Sequence, residues 1–317
     1  MARFYDRLLI SLNEKKWIDK LKVTQVIDAN NVCQYYFSGT DQEVWDMLKD
    51  FPNLAPPFPN FFIEMKSPKF IKSEKFGKID TKLNLLKCWG VHFIALDLHD
   101  HDGFLSKSKG SLLELKFFLN AIVEKKVPPS SNLKWIIFSY LYIELLGGEI
   151  HGPLCCFMYL VDKKGGVIEL MNEEGFICIL FGKYKEGHAE FITRCLTPDM
   201  FPAYLAVSFM HCKNVIAEQI IPPSKLNKKF RKKHGNDLVK YHVLKIEPMK
   251  KILRIEGKSN ELGIPKALHI CRGHFKDYRK SGLFGKIPGI FWWDSHIRGN
   301  KKQGIVMKDY EIEKLKK

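Results

Sequence analysis

The chain has 317 residues, enough for one large domain or two ordinary ones, and its 45% hydrophobic and 13% aromatic content is that of a folded protein, which excludes a disordered or low-complexity chain. The net charge is +16 and unevenly placed: from Lys213 onward 26 Lys and Arg face 10 Asp and Glu, so residues 213–317 carry the whole excess and residues 1–212 are neutral. No apolar window is long enough to span a bilayer and no C-x-x-C pair stands among the eight cysteines, which argues against a membrane partner and a disulfide framework and for a cytoplasmic, reducing setting.

The N-terminal "MARFYDRLLISLNEKKW" has a short apolar run with charges on both sides and no small-residue cleavage site, so no signal peptide is read. "VCQYYFSG" (32–39) has strand character, and "DQEVWDMLKDF" reads as a helix with Asp41 as its N-cap. "PNLAPPFPN" is a connector, because its prolines cannot continue a helix, and Phe61–Lys66 is a strand. Leu85–His99 is predicted as a buried strand ending in the polar "DLHDHDG", and Ser111–Lys126 as a helix whose lysine-rich end suits the helix dipole. The most apolar window, "WIIFSYLYIELLGG" (Trp135–Gly148), is interrupted by Glu144. From Gly152 an antiparallel meander is expected, with turns at 163–166 and 172–175.

"PAYLAVSFMHCKNV" (Pro202–Val215) predicts a helix with Pro202 in its first turn, buried on Leu205 and Phe209. "PPSKLNKKFRKKHGN" is a short basic helix or loop stopped by Gly235, and Lys240–Pro248 alternates as a half-exposed strand does. Later strands are expected over "KALHICR", "GIFWW" and "GIVMKDYEI". The sum is an α+β protein with mixed, mostly antiparallel sheets and a few helices. A neutral body over 1–212 precedes a basic, aromatic-rich, strand-containing region over 213–317, either separate or continuous with it. No G-x-G-x-x-G, P-loop, G-x-S-x-G or H-E-x-x-H motif is present, which disfavours the common nucleotide-binding, hydrolase and zinc-protease chemistries.

Three clusters have the residue types for function. Asp97, His99, Asp100, His101 and Asp102 combine carboxylate and imidazole, a divalent-metal set that Glu64 from a neighbouring strand would extend; the same residues equally make a solvated turn before Gly103, and no metal or cofactor is expected. Lys228, Lys229, Arg231, Lys232 and Lys233 lie within six residues and suit sequence-independent contact with phosphates. The third cluster is "HICRGHFKDY" (His269–Tyr278) with its continuation, where "RGH" (Arg272–His274) is echoed by "HIRG" (His296–Gly299).

Around that echo, Phe275, Tyr278, Phe284, Phe291, Trp292 and Trp293 are interleaved with Lys276, Arg279, Lys280, Lys286, Lys301 and Lys302, aromatic platforms beside cations of the kind used for single strands. Three readings of the cluster stay open. One is a zinc site on His269, Cys271, His274 and His296, against which a continuous strand would turn His274 away from the other ligands. Another is metal-free phosphodiester cleavage, with His274 and His296 as acid and base and Arg272 and Arg298 on the developing charge. The last is a binding or structural role without chemistry.

The blocks "HCKNV" (His211–Val215), "PPSKLNKKFRKKHG", "KYHVLKIEP", "HICRGHFKDY", "GLFGKIPGIFWWDSHIRGNKKQGIVMKDYEI" and the earlier "APPFPNFFIE" together resemble a family of uncharacterised bacterial, prophage and phage proteins. The resemblance implies a mobile-element or phage–host conflict setting and brings no catalytic residue with it. The expectation is therefore a nucleic-acid-binding protein acting through its basic last third. The alternatives are a metal-independent ribonuclease or related phosphodiesterase, and an inhibitor or adaptor docking on an acidic protein partner. Whether the chain is an enzyme stays open.

Overall fold

The computed structural model describes residues 3–14, 23, 25–31, 51–66, 86–97, 132–145, 147–168, 177–180, 200–249, 267–271, 273–294, 296–298 and 300–305. The strand expected at 32–39, the helices at 41–51 and 111–126, the turn at 172–175 and His99–Asp102 lie outside these residues. The chain divides into two compact units, Met1–His211 with Val215–Lys245, and Cys212–Asn214 with Ile246–Lys317. The class is α+β, as expected, with strands dominant.

The first unit is built on one mixed sheet. Its strands are β1 (Gln25–Asp28), β2 (Asn60–Lys66), β3 (Leu86–Asp97), β4 (Leu133–Leu145), β5 (Ile150–His151), β6 (Cys155–Asp162), β7 (Val167–Ile168), β8 (Ile177–Leu180), β9 (Val215–Ile220) and β10 (Tyr241–Ile246). They run in the order β7-β6-β4-β3-β2-β1-β10-β9, with β5 added to β4 and β8 to β6. β1 is parallel to β2 and β10, while β2-β3-β4-β6 is antiparallel throughout. The expected turn at 163–166 closes β6 onto β7: Asp162 accepts from the Lys164 and Gly166 N–H groups, and Gly165 takes the positive φ (89°).

β4 and β6 read as continuous apolar runs because both sheet faces are covered. On one face lies α1 (Phe4–Glu14), whose Phe4, Tyr5, Leu8 and Leu12 recur at helical spacing and pack with Val26, Phe62, Phe138, Tyr142 and Met158. On the other lies α2, the helix over 200–210, buried along nearly its whole length. Its Tyr204 hydroxyl bonds Ser139 at 2.9 Å, and its ring meets Phe93 and Tyr159 edge-on. Phe61 and Phe93, opposite in register, stack at 4.7 Å beneath it. α2 stops at Met210, short of the expected Val215: the chain turns at His211–Asn214, and the β-branched Val215 and Ile216 open β9.

The second unit contains β11 (Ala267–Cys271), β12 (His274–Asp277), β13 (Ile290–Trp293), β14 (His296–Arg298) and β15 (Asn300–Ile305). Among the described residues β12 pairs only with β13, and β11 lies between β14 and β15. The strand expected over "KALHICR" ends at Cys271, and a separate strand starts at His274. The antiparallel register is the same on either side of Arg272 and Gly273: His269 faces Arg298, Cys271 faces His296, His274 faces Trp293 and Asp277 faces Ile290. Gly273 is required because the Trp292 indole covers it, so that a Cβ there would lie 2.5 Å from the ring.

Candidate nucleic-acid interface

The basic run forms α3 (Ser224–His234), in the first unit. Pro222 and Pro223 keep the preceding chain out of the helix, and Gly235 ends it in the left-handed conformation, φ 77°, with its N–H on the Arg231 carbonyl at 2.8 Å. No α3 residue is buried. At 100° per residue, Lys225, Lys228, Lys229, Lys232 and Lys233 fall at i, i+3, i+4, i+7 and i+8, so five cations share one exposed face about 12 Å long. None of the five pairs with a carboxylate among the described residues.

Arg231 belongs to the opposite side. It clasps Asp237 through two bonds, Nε to Oδ1 at 2.6 Å and Nη2 to Oδ2 at 2.5 Å, and its hydrogen bonding holds the Asp237 carboxyl below its ordinary range. Asn227 joins the clasp, donating to Asp237 at 2.9 Å and accepting the Leu238 N–H at 2.7 Å. Arg231 therefore fastens α3 to the chain that follows, and Lys225 takes the fifth place on the cationic face. Helical spacing counted back from Lys228 finds Lys225 without a structure.

In the second unit, the β12–β13 hairpin sorts the remaining candidates. Trp292 is 5% exposed, packs edge-on against Phe275 at 4.8 Å and lies over Gly273, so it is a core residue. Trp293 is half-buried and carries the Lys276 ammonium 4.3 Å from its ring centre. Tyr278 packs edge-on against Phe291 at 5.9 Å, and burial raises its hydroxyl pKa. The Arg279 guanidinium bonds Asp277, with Nη2 to Oδ2 at 2.7 Å, and holds that carboxyl below its ordinary range. Lys280 and Lys286 are exposed at the hairpin end.

The structure does not make His274 and His296 register partners. His274 is exposed opposite Trp293 in the β12–β13 pair, while His296 lies opposite Cys271 in the separate sheet of β11 and β14. Arg298 lies opposite His269, and Arg272 is outside the described residues. Lys301 and Lys302 sit on β15 between its two paired positions, Asn300 with Ala267 and Ile305 with Leu268.

Of the acidic cluster, Asp97 ends β3, 3.9 Å from Lys134. Glu64 is not beside Asp97: it faces Gly90, seven positions away on β3, accepts the Tyr5 N–H at 3.0 Å and is paired with Arg3. Among the described residues no three His, Cys, Asp or Glu side chains are grouped to hold a metal ion, and no helix is long and apolar enough to cross a membrane.

One polar element escaped the sequence reading. Asn214, 2% exposed, binds both backbone groups of Trp292: its Nδ2 donates to the carbonyl at 2.8 Å and its Oδ1 accepts the N–H at 2.9 Å. It sits in the "HCKNV" block, whose Lys213 N–H donates to the Ile290 carbonyl at 2.7 Å, so these residues line the edge of β13. Comparison with known proteins gives no match, whether to a family model, a curated protein or a solved structure.

Proposed function

We propose that this protein binds nucleic acid, with the five-lysine face of α3 laid against phosphates. The single observation that carries this reading is that face. Like charges at i, i+3 and i+4 repel, and Lys225 stands in the first turn, where the helix dipole disfavours a cation. No residue of α3 is buried, so packing gives no reason for the arrangement. A polyanion removes both penalties, and counterion release drives the association.

The test is anisotropy binding to single- and double-stranded DNA and RNA across a salt series. With all five lysines on phosphates, log K falls against log salt with a slope of about −3.5 for a single strand or −4.5 for a duplex. Replacing Lys228 and Lys232 together by Gln makes the slope shallower by about 1.5. Absence of salt-dependent binding to all four polymers overturns the reading, and retention on an acidic polypeptide in that case would point to a protein partner.

A further inference from the structure

Phe284 is the one non-glycine residue with a positive φ, 57°, among the described residues. That conformation is disfavoured for any residue with a Cβ, and glycine or asparagine would ordinarily occupy it. The loop around it is fully specified. Gly282 N–H donates to the Tyr278 carbonyl at 2.8 Å, Leu283 N–H to Ile287 at 2.7 Å, Gly285 N–H to Gly282 at 3.1 Å and Lys286 N–H to Leu283 at 3.2 Å. Gly282 and Gly285 take positive φ on either side.

The two adjacent apolar residues then part company. Leu283 is buried with Phe291 and Met249, whereas Phe284 is 36% exposed. Residues 278–289 contain no acid, and Lys280 and Lys286, four and two positions from Phe284, are exposed on the same hairpin end. An exposed phenylalanine whose backbone is held at positive φ within a hydrogen-bonded loop, on a cationic hairpin end, suits a flat ligand that carries negative charge.

We propose that Phe284 stacks on an unpaired nucleobase while Lys280 and Lys286 contact the flanking phosphates. The proposal rests on the nucleic-acid reading above and adds single-stranded segments as the substrate class of the second unit. Stacking tolerates any base, so binding is independent of sequence.

The experiment uses the full chain, a short oligothymidylate and a duplex of equal length. Phe284→Gly is expected to weaken oligothymidylate binding about tenfold or more with an unchanged salt slope. It should leave Tm equal or higher, because glycine relieves the strained backbone. Phe284→Trp should bind within about threefold of the parent, and Lys280→Gln with Lys286→Gln should make the salt slope shallower by about 1.4. Unchanged affinity in Phe284→Gly overturns the proposal and leaves nucleic-acid binding standing. Loss of affinity together with a lowered Tm also overturns it, since Phe284 would then be structural. A parent chain that binds no polymer removes the underlying reading itself.

Discussion

Asn214 commits its whole side-chain amide to backbone groups of distant residues. One Nδ2 hydrogen goes to the Glu247 carbonyl at 3.0 Å and the other to Trp292, while Oδ1 takes the Trp292 N–H; its own carbonyl accepts the Glu247 N–H at 2.8 Å. It stands where a neighbouring strand would, which is why a buried asparagine is tolerated there. Asn214→Ala leaves two buried backbone groups of Trp292 and the half-buried Glu247 carbonyl without these partners, at about 1–3 kcal/mol each when unrelieved, and a loss of about 4 kcal/mol is expected in urea unfolding. Asn214→Asp keeps the acceptor for Trp292 N–H but turns a carboxylate oxygen toward two carbonyls, so it should be no milder. A loss below about 1 kcal/mol in Asn214→Ala would mean that the three groups find other partners.

At the scale of the element, α3 differs from the other two described helices. α1 and α2 are held by apolar faces, but α3 buries nothing and depends on its Gly235 end and the Asp237 clasp. Gly235→Ala meets no atom within 4 Å, so its cost is purely conformational, about 1 kcal/mol. Amide exchange over residues 224–234 should therefore speed about fivefold while the global Tm barely moves, and bound nucleic acid should slow that exchange again. Equal loss across the first unit would show α3 to be a packing element. The stop of α3 at Gly235, like the runs of β2 and β3, was legible because it follows from local spacing and from glycine chemistry, whereas β4 was visible only as the most apolar window. What could not be read locally was long-range. Arg231 turns to Asp237 only once the chain has bent at Gly235. Trp292 is core because Asn214, 78 residues earlier, completes its strand. The lone acids in the apolar runs, Glu64 and Glu144, find Arg3 and Arg7 at separations of 61 and 137 residues.

At the scale of the molecule, the charge proposed to meet a polyanion and the charge that sets stability are carried by different residues. The first is the lysine excess beyond residue 212. The second is the polar network under α1. Arg7 binds Glu144 through Nε at 3.0 Å and Nη2 at 2.5 Å, and Cys88 donates to the same carboxylate at 2.7 Å. Arg3 bridges Glu64 and Asp28 and lies 3.7 Å over the Tyr241 ring. Burial pushes the Cys88 thiol up to about 12, so it stays protonated and inert. His92 lies on the same sheet face, with Nε2 2.8 Å from Asn60 Oδ1 and no room for a charge; burial lowers its pKa to about 3.

The unfolded chain protonates this histidine near pH 6.5. Between about 6.5 and 3 the unfolded state therefore binds a proton that the fold refuses, and stability falls as the pH is lowered through that window. Glu64 and Asp6 act in the opposite sense, because burial raises their pKa and they take up protons in the fold before they do in the free chain. The histidine contribution is isolated by His92→Gln, which keeps a donor for Asn60 and cannot titrate. The parent should lose stability relative to this variant by about 1.4 kcal/mol per pH unit between pH 6 and 4. Unfolding curves of the two chains at matched pH test it, and a constant difference would mean that His92 becomes charged inside the fold.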